Sequence, residues 1–269
     1  MEILYLWEEA PGTYTDVPVL HYYPAEAKTT DATVVIFPGG GYTHLATHEG
    51  QGYAEYLNSI GMDAFVCPYR VYPHQFPLPL VDARRSVRYV RANAEKFGIN
   101  PNKIAVMGSS AGGHLAALVS TYTAPIDFEN TDEIDTMDCI PNASILCYPA
   151  LHYPDFSLFP ELTKNTGYYF CFNLLVGDER MDILPSLSPD LLVKDTTPPA
   201  FIWHTAEDPI VNVTNSYLYA AALRKHNVPC EMHIFPHGGH GLGLAQHIPH
   251  IAQWADLMKN WFIQMDWLK

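Results

Sequence analysis

Apolar positions along this chain recur with two periods. Short, largely apolar runs, most of them rich in β-branched and aromatic residues, fall at 33–37, 64–67, 104–107, 143–147, 200–204 and 230–235. Their length and density predict strands, buried ones at 33–37 and 104–107. Between them, apolar residues return every three or four positions, which predicts helices over 51–60, 80–97, 114–119, 214–226 and 248–265. Gly61 and Gly98 stand where the first two of these helices should end, as caps. Two further strand-like stretches, 3–6 and 17–23, are separated by Pro11-Gly12 and predict an antiparallel edge. Strands alternating with helices imply an α/β fold: a mainly parallel central sheet with helices on both faces. Right-handed crossovers then bring the carboxyl ends of the strands to one edge, where sites form in such sheets.

Two stretches stand out within this pattern. The helix over 80–97 carries Arg84, Arg85, Arg88 and Arg91 on its polar side, which reads as a solvated face. Residues 149–196 lack a clear period and are rich in Tyr, Phe, Leu and Pro, including Tyr153, Phe156, Phe159, Tyr168, Tyr169, Phe170 and Phe172. Such an insert (about 150–198) between two strands reads as a small cap near the functional edge. Its aromatic residues suit either a sugar ring or simple packing.

The chain has 269 residues, no internal repeat and no linker-like run, so a single domain over 1–269 is expected. Hydrophobic residues make up 48% and charged residues 16%, enough apolar material for a large core. The formal net charge of −14 argues against nucleic acid or an anionic membrane surface as partner, because both need a basic footprint. The first residues lack a basic segment and a long apolar run, so a soluble cytoplasmic protein is expected. Five cysteines without Cys-x-x-Cys spacing read as buried free thiols in a reducing compartment.

The most informative stretch is 104–115. An apolar strand-like run leads into Gly108-Ser109-Ser110-Ala111-Gly112-Gly113, and then into a helical run. Gly-x-Ser-x-Gly between strand and helix is the context of a nucleophile elbow, where a sharp turn thrusts its central serine out of the sheet edge. Small neighbours are required, and Gly108, Ser109, Ala111 and Gly112 are small. The Ala111 N–H would open the helix and point at a developing oxyanion. Gly39-Gly40-Gly41, after the strand at 33–37, would supply further backbone donors, with Gly40 and Gly41 completing the hole.

A serine hydroxyl needs a base, and the base an orienting carboxylate. In elbow folds these follow in the order Ser, Asp or Glu, His, each on a loop after a later strand. Asp208 follows the strand at 200–204, and His240 follows the strand at 230–235. Both are selected as partners of Ser110. Glu207 is the near rival for the acid and His237 for the base; Asp178 and Asp182 precede the strand. Glycines on both sides of His240 would permit the loop such a reach requires. The triad is thus Ser110, Asp208 and His240. Activity should fall at acid pH, as a protonated base cannot accept the serine proton.

These stretches together resemble the α/β-hydrolases, specifically the carbohydrate acetylesterase branch known as xylan esterase or lipase/esterase-like. The resemblance covers nearly the whole chain. It rests on Phe37-Pro38-Gly39-Gly40-Gly41-Tyr42, Glu49-Gly50, Tyr69-Arg70, Asp82, Gly108 to Leu115, Pro198 to Asp208, and His237 to Gly243. Pro38 departs from the histidine that many related lipases carry there. The resemblance implies a serine esterase for short acyl groups, often acetyl on sugars, needing no cofactor and no metal. Its partner would be a small-molecule ester, and oligomeric state stays open. A lipase-type esterase, an amidase or peptidase, and a non-catalytic binding protein are the alternatives. Tyr42 and the aromatic insert are assigned to closing the acyl pocket. His44 and His48, four apart, lack the further ligands a zinc site needs. His114 is expected to pack beneath the glycine loop, and Glu49 to pair with Arg70.

Overall fold

The computed structural model describes residues 1–8, 17–126, 128, 132–153 and 166–269. Eight strands form one sheet in the order β1-β2-β4-β3-β5-β6-β7-β8. They are β1 (Glu2–Tyr5), β2 (Val19–Tyr23), β3 (Thr33–Phe37), β4 (Asp63–Val66), β5 (Ile104–Ser109), β6 (Ala143–Cys147), β7 (Ala200–Thr205) and β8 (Cys230–Phe235). β1 pairs antiparallel with β2, and β2 with β4; all later pairs are parallel. Every residue of β3, β5, β6 and β7 is buried, as expected of central strands covered on both faces.

Alternate residues of these strands feed two apolar layers. Val35, Phe37 and Val106 pack with residues of α2 (Leu78–Ala92), α4 (Ala111–Thr121) and α7 (Thr214–Lys225). Val34, Ile36 and Met107 pack on the opposite face with α1 (Thr47–Ser59) and α8 (Pro249–Gln264). On that face Trp254 stacks on Trp203 with ring centroids 4.9 Å apart. Such a pair adds about 1 kcal/mol beyond the area it buries. Pro249 opens α8, where the absent N–H costs no helical bond.

Several expectations change. The helix expected over 80–97 is two: α2 stops at Ala92, and α3 (Ala94–Phe97) ends at Gly98 with φ +62°. Its arginines are not a solvated face. Arg84 and Arg85 are buried, Arg85 pairs with Asp135 at 2.9 Å, and its guanidinium lies over Trp7. Arg88 and Arg91 bind the carbonyls of Met137 and Ile140 at 3.0 Å. Arg85, Arg88 and Arg91 therefore anchor the segment before β6, while Arg84 binds the Tyr122 carbonyl at the end of α4; the helical period could not reveal this because the segment has no period of its own.

The insert contains regular structure after all: α5 (Thr166–Val176), a 3-10 stretch Asp178–Leu187, and α6 (Pro189–Leu192). Phe156 and Phe159 lie outside the described residues, as do the side chains of Tyr168, Tyr169 and Phe170. Of the cysteines, Cys67, Cys139 and Cys147 are buried, whereas Cys171 is half-buried and Cys230 exposed at the start of the edge strand. No helix among the described residues is long and apolar enough to cross a membrane.

Candidate active site

β5 delivers Ser110 to the carboxyl edge of the sheet. Its backbone takes φ +53° and ψ −117°, a strained conformation for a non-glycine residue. Neighbouring bonds enforce it: Ser110 N–H donates to Cys147 O at 3.0 Å, and Ser110 O accepts from His114 N–H at 3.0 Å. The turn is possible only because nothing projects from residue 112. A Cβ there would lie 2.0 Å from the Phe37 carbonyl oxygen. Sequence and backbone strain thus meet at one residue, whose hydroxyl is turned outward.

His240 Nε2 lies 2.7 Å from Ser110 Oγ, and its Nδ1 lies 2.7 Å from Asp208 Oδ2. A carboxylate only accepts, so Nδ1 carries the hydrogen and Nε2 is left to receive the serine proton. Asp208 Oδ1 accepts the N–H groups of Ile210 and Val211, each at 2.9 Å. Burial alone would raise its pKa. Hydrogen bonds from His204 and His240, the charge of His240 and the Val211 N–H outweigh that burial and hold it well below the usual carboxylate range. The rivals stand apart. His237 and Glu207 pair with each other at 2.9 Å, both exposed.

The glycine loop closes the other side. Gly40 takes φ +130°, and a Cβ there would lie 2.1 Å from His44 O. Its carbonyl takes the N–H of Thr43 at 3.0 Å and that of His44 at 3.3 Å. Among the described residues, the N–H groups of Gly40, Gly41 and Ala111 meet no protein acceptor, so they stay available to a ligand oxygen. Tyr42 lies beneath this loop: it is 1% exposed, its hydroxyl 2.6 Å from His114 Nδ1. His114 Nε2 in turn lies 2.8 Å from Leu187 O, and its ring packs edge-on against Tyr42, Tyr153 and Phe172. Burial pushes the His114 pKa down to about 4, against a smaller opposing effect of the Leu187 carbonyl. α5 presses on the loop as well, since a Cβ on Gly41 would lie 2.5 Å from Cys171 Sγ.

The expected Glu49–Arg70 pair does not form. Arg70 binds Asp82 at 2.7 Å. Buried Glu49 instead accepts Gly39 N–H at 2.9 Å and the Tyr148 hydroxyl at 2.6 Å. Tyr148 also accepts Gly243 N–H at 3.0 Å and packs edge-on against His240. One carboxylate therefore joins the glycine loop to the His240 loop. His48 adds a contact to Gly241 O at 3.0 Å, while His44 precedes α1, so the two histidines do not share a helix. Among the described residues no group of three His, Cys, Asp or Glu converges as a metal set. Sequence reasoning missed Tyr148 and His204. The only signal for His204 was its position four residues before Asp208, at the end of the apolar run 200–203.

Known proteins share this architecture. The structure of an acetyl ester-xyloside bifunctional hydrolase from Caldicellulosiruptor lactoaceticus superposes with a TM-score of 0.89 at 40% identity, covering 100% of this chain and 97% of that one. Endo-1,4-beta-xylanase B of Butyrivibrio fibrisolvens is 34% identical over 252 residues, 89% of this chain but 38% of that protein. An acetylxylan esterase of Xylanibacter ruminicola is 32% identical over 233 residues, 85% of this chain and 44% of that protein. The chain thus spans less than half the length of these two relatives. Residues 21–223, which include Ser110 and Asp208 but stop short of His240, match the family described as BD-FAE. On an α/β-hydrolase fold, the chain belongs to the BD-FAE family.

Proposed function

We propose that this chain is a serine ester hydrolase that removes acetyl groups from sugars or oligosaccharides through an acyl-enzyme on Ser110. The observation that carries the reading is the unbroken line from Asp208 through His240 to Ser110, two contacts of 2.7 Å each. In the first half-reaction Ser110 Oγ attacks the ester carbonyl carbon while His240 Nε2 takes its proton. Negative charge on the carbonyl oxygen is received by the N–H groups of Ala111, Gly40 and Gly41. The alcohol leaves with the proton from His240. Water then attacks the acyl-Ser110, again deprotonated by His240, and acetate departs.

The acetyl preference is a reading that the close approach of Cys171 in α5 to Gly41 is consistent with. Two relatives whose names refer to acetyl ester or acetylxylan hydrolysis point the same way. We read the chain as one domain, with the segment of about 150–198 as its cap. The five free thiols fit a reducing compartment such as the cytoplasm.

The experiment is kcat/KM across acetyl, butyryl, hexanoyl and octanoyl esters of one alcohol, then across acetylated xylo-oligosaccharides and anilides. A fall from acetyl to octanoyl, with a gain for sugar acetates, is expected. A rise with chain length would make the protein a lipase-type esterase, since each methylene that fits an apolar pocket adds roughly 1 kcal/mol or more. Faster anilide than ester cleavage would make it an amidase.

A further inference from the structure

Asp208 is served by two imidazoles. His204, next to last in β7, is wholly buried. Its Nε2 lies 3.2 Å from Asp208 Oδ2, the oxygen that also receives His240, and 3.0 Å from Val211 O. Its Nδ1 lies 2.8 Å from Ser216 Oγ on α7. Both groups facing Nε2 are acceptors, so Nε2 carries a hydrogen; a neutral ring then takes the Ser216 hydroxyl proton on Nδ1. With the Ile210 and Val211 N–H groups at Oδ1, each carboxylate oxygen has two partners.

A histidine that needed only satisfaction in the core has Val211 O for that purpose. Its approach to Oδ2 is a separate fact, and it has a mechanical consequence. The backbone N–H pair holds Oδ1 alone. Oδ2, which must stay aligned with His240 Nδ1 while that ring gains and loses a proton, is held by no backbone group among the described residues. Ser216 in turn fixes the ring of His204 from the far side. We infer that His204 is a positioning residue for the Asp208–His240 pair, holding Oδ2 in line with His240 Nδ1 throughout the cycle. It acts through Asp208 and touches no substrate. The inference rests on the reading of Ser110 as nucleophile.

The test compares wild type with His204→Phe, His204→Gln and Ser216→Ala. Phe keeps the bulk and removes both nitrogens, while Gln can return an N–H near the Nε2 position. For each, kcat and KM on 4-nitrophenyl acetate, the rate of Ser110 labelling by an aryl phosphonate, and the unfolding temperature are measured. We expect folded His204→Phe to lose about tenfold or more in kcat with KM changed by less than about twofold, because an orienting partner of a site residue acts on the reacting geometry. Phosphonate labelling should slow in parallel. His204→Gln should recover most of the loss, and Ser216→Ala should fall between Gln and Phe. A folded His204→Phe with wild-type kcat and labelling overturns the inference. So does a Gln variant as slow as Phe at equal stability, which would assign the effect to packing. If His204→Phe does not fold, Ser216→Ala decides: slowed kcat at an unchanged unfolding temperature supports the inference, and undiminished kcat overturns it. Wild type inert on every acetate ester would instead refute the proposed function, a different failure.

Discussion

The Ser110 side and the Asp208–His240 side of the proposed site are built by different means. Around Ser110 the geometry is backbone geometry. A positive φ, an adjacent helix start and a glycine with a carbonyl 2.0 Å from its absent Cβ lie within a few residues of one another. Around Asp208 and His240 it is side-chain geometry: residues 32 apart in the chain are aimed by a hydrogen bond from His204 to Asp208 and by Tyr148, which accepts Gly243 N–H and donates to Glu49. The first kind is compact and intolerant. The second is dispersed, so its supports can be weakened one at a time.

The largest effect should come from Ser110→Ala, which leaves the fold intact and removes on the order of 10⁶ of turnover. His240→Ala should be nearly as severe. Asp208→Asn should cost about 10⁴ in kcat, because the carboxylate orients rather than transfers the proton. Steady-state rates with 4-nitrophenyl acetate measure all three; an active Ser110→Ala protein would end the comparison.

Next, the two sides should differ in how they fail. Gly112→Ala forces a methyl into the Phe37 carbonyl, and we expect about 3 kcal/mol or more of lost stability, as for other strained or overpacked sites. Chemical denaturation reads it directly. Wild-type stability in that variant would show that the elbow yields more than its geometry implies.

A third difference concerns pH. His114, beneath the glycine loop, has its pKa lowered to about 4 from 6.5. Between those values the unfolded chain binds the extra proton, so stability falls as pH drops from about 6.5 to 4, with a slope near 1.4 kcal/mol per pH unit. Below about 4 both states are protonated and this contribution stops changing. Protonation also removes the acceptor for the Tyr42 hydroxyl. His114→Gln should flatten the slope in that window, measured by denaturant unfolding at several pH values; an unchanged slope would place the titration elsewhere. Asp208 behaves with the usual carboxylate sign: its stabilising contribution is present above about pH 4 and is lost as pH falls below.

The smallest effects are expected at the rivals. Glu207→Gln and His237→Ala alter an exposed pair, and activity should stay within about twofold. A dead His237→Ala protein with an active His240→Ala protein would reverse the assignment of the base.

Much of this was legible along the chain because the controlling physics is local. Strands β3, β5, β6 and β7 are mostly apolar since both faces are covered, and the elbow is written in consecutive small residues since its clashes are between near neighbours. The order of Ser110, Asp208 and His240 follows from strand order, because each sits on a loop at the same sheet edge. What sequence could not settle were choices between chemically equivalent side chains. Glu49 could as well have met Arg70 as Gly39 and Tyr148, and three arginines spaced for a wet helix face, Arg85, Arg88 and Arg91, instead clamp an aperiodic segment. Nothing in the residue types distinguishes His204 from any other core histidine. Such pairings depend on distances across the sheet, where a shift of a few ångströms exchanges one partner for another, and only the packed chain sets those distances.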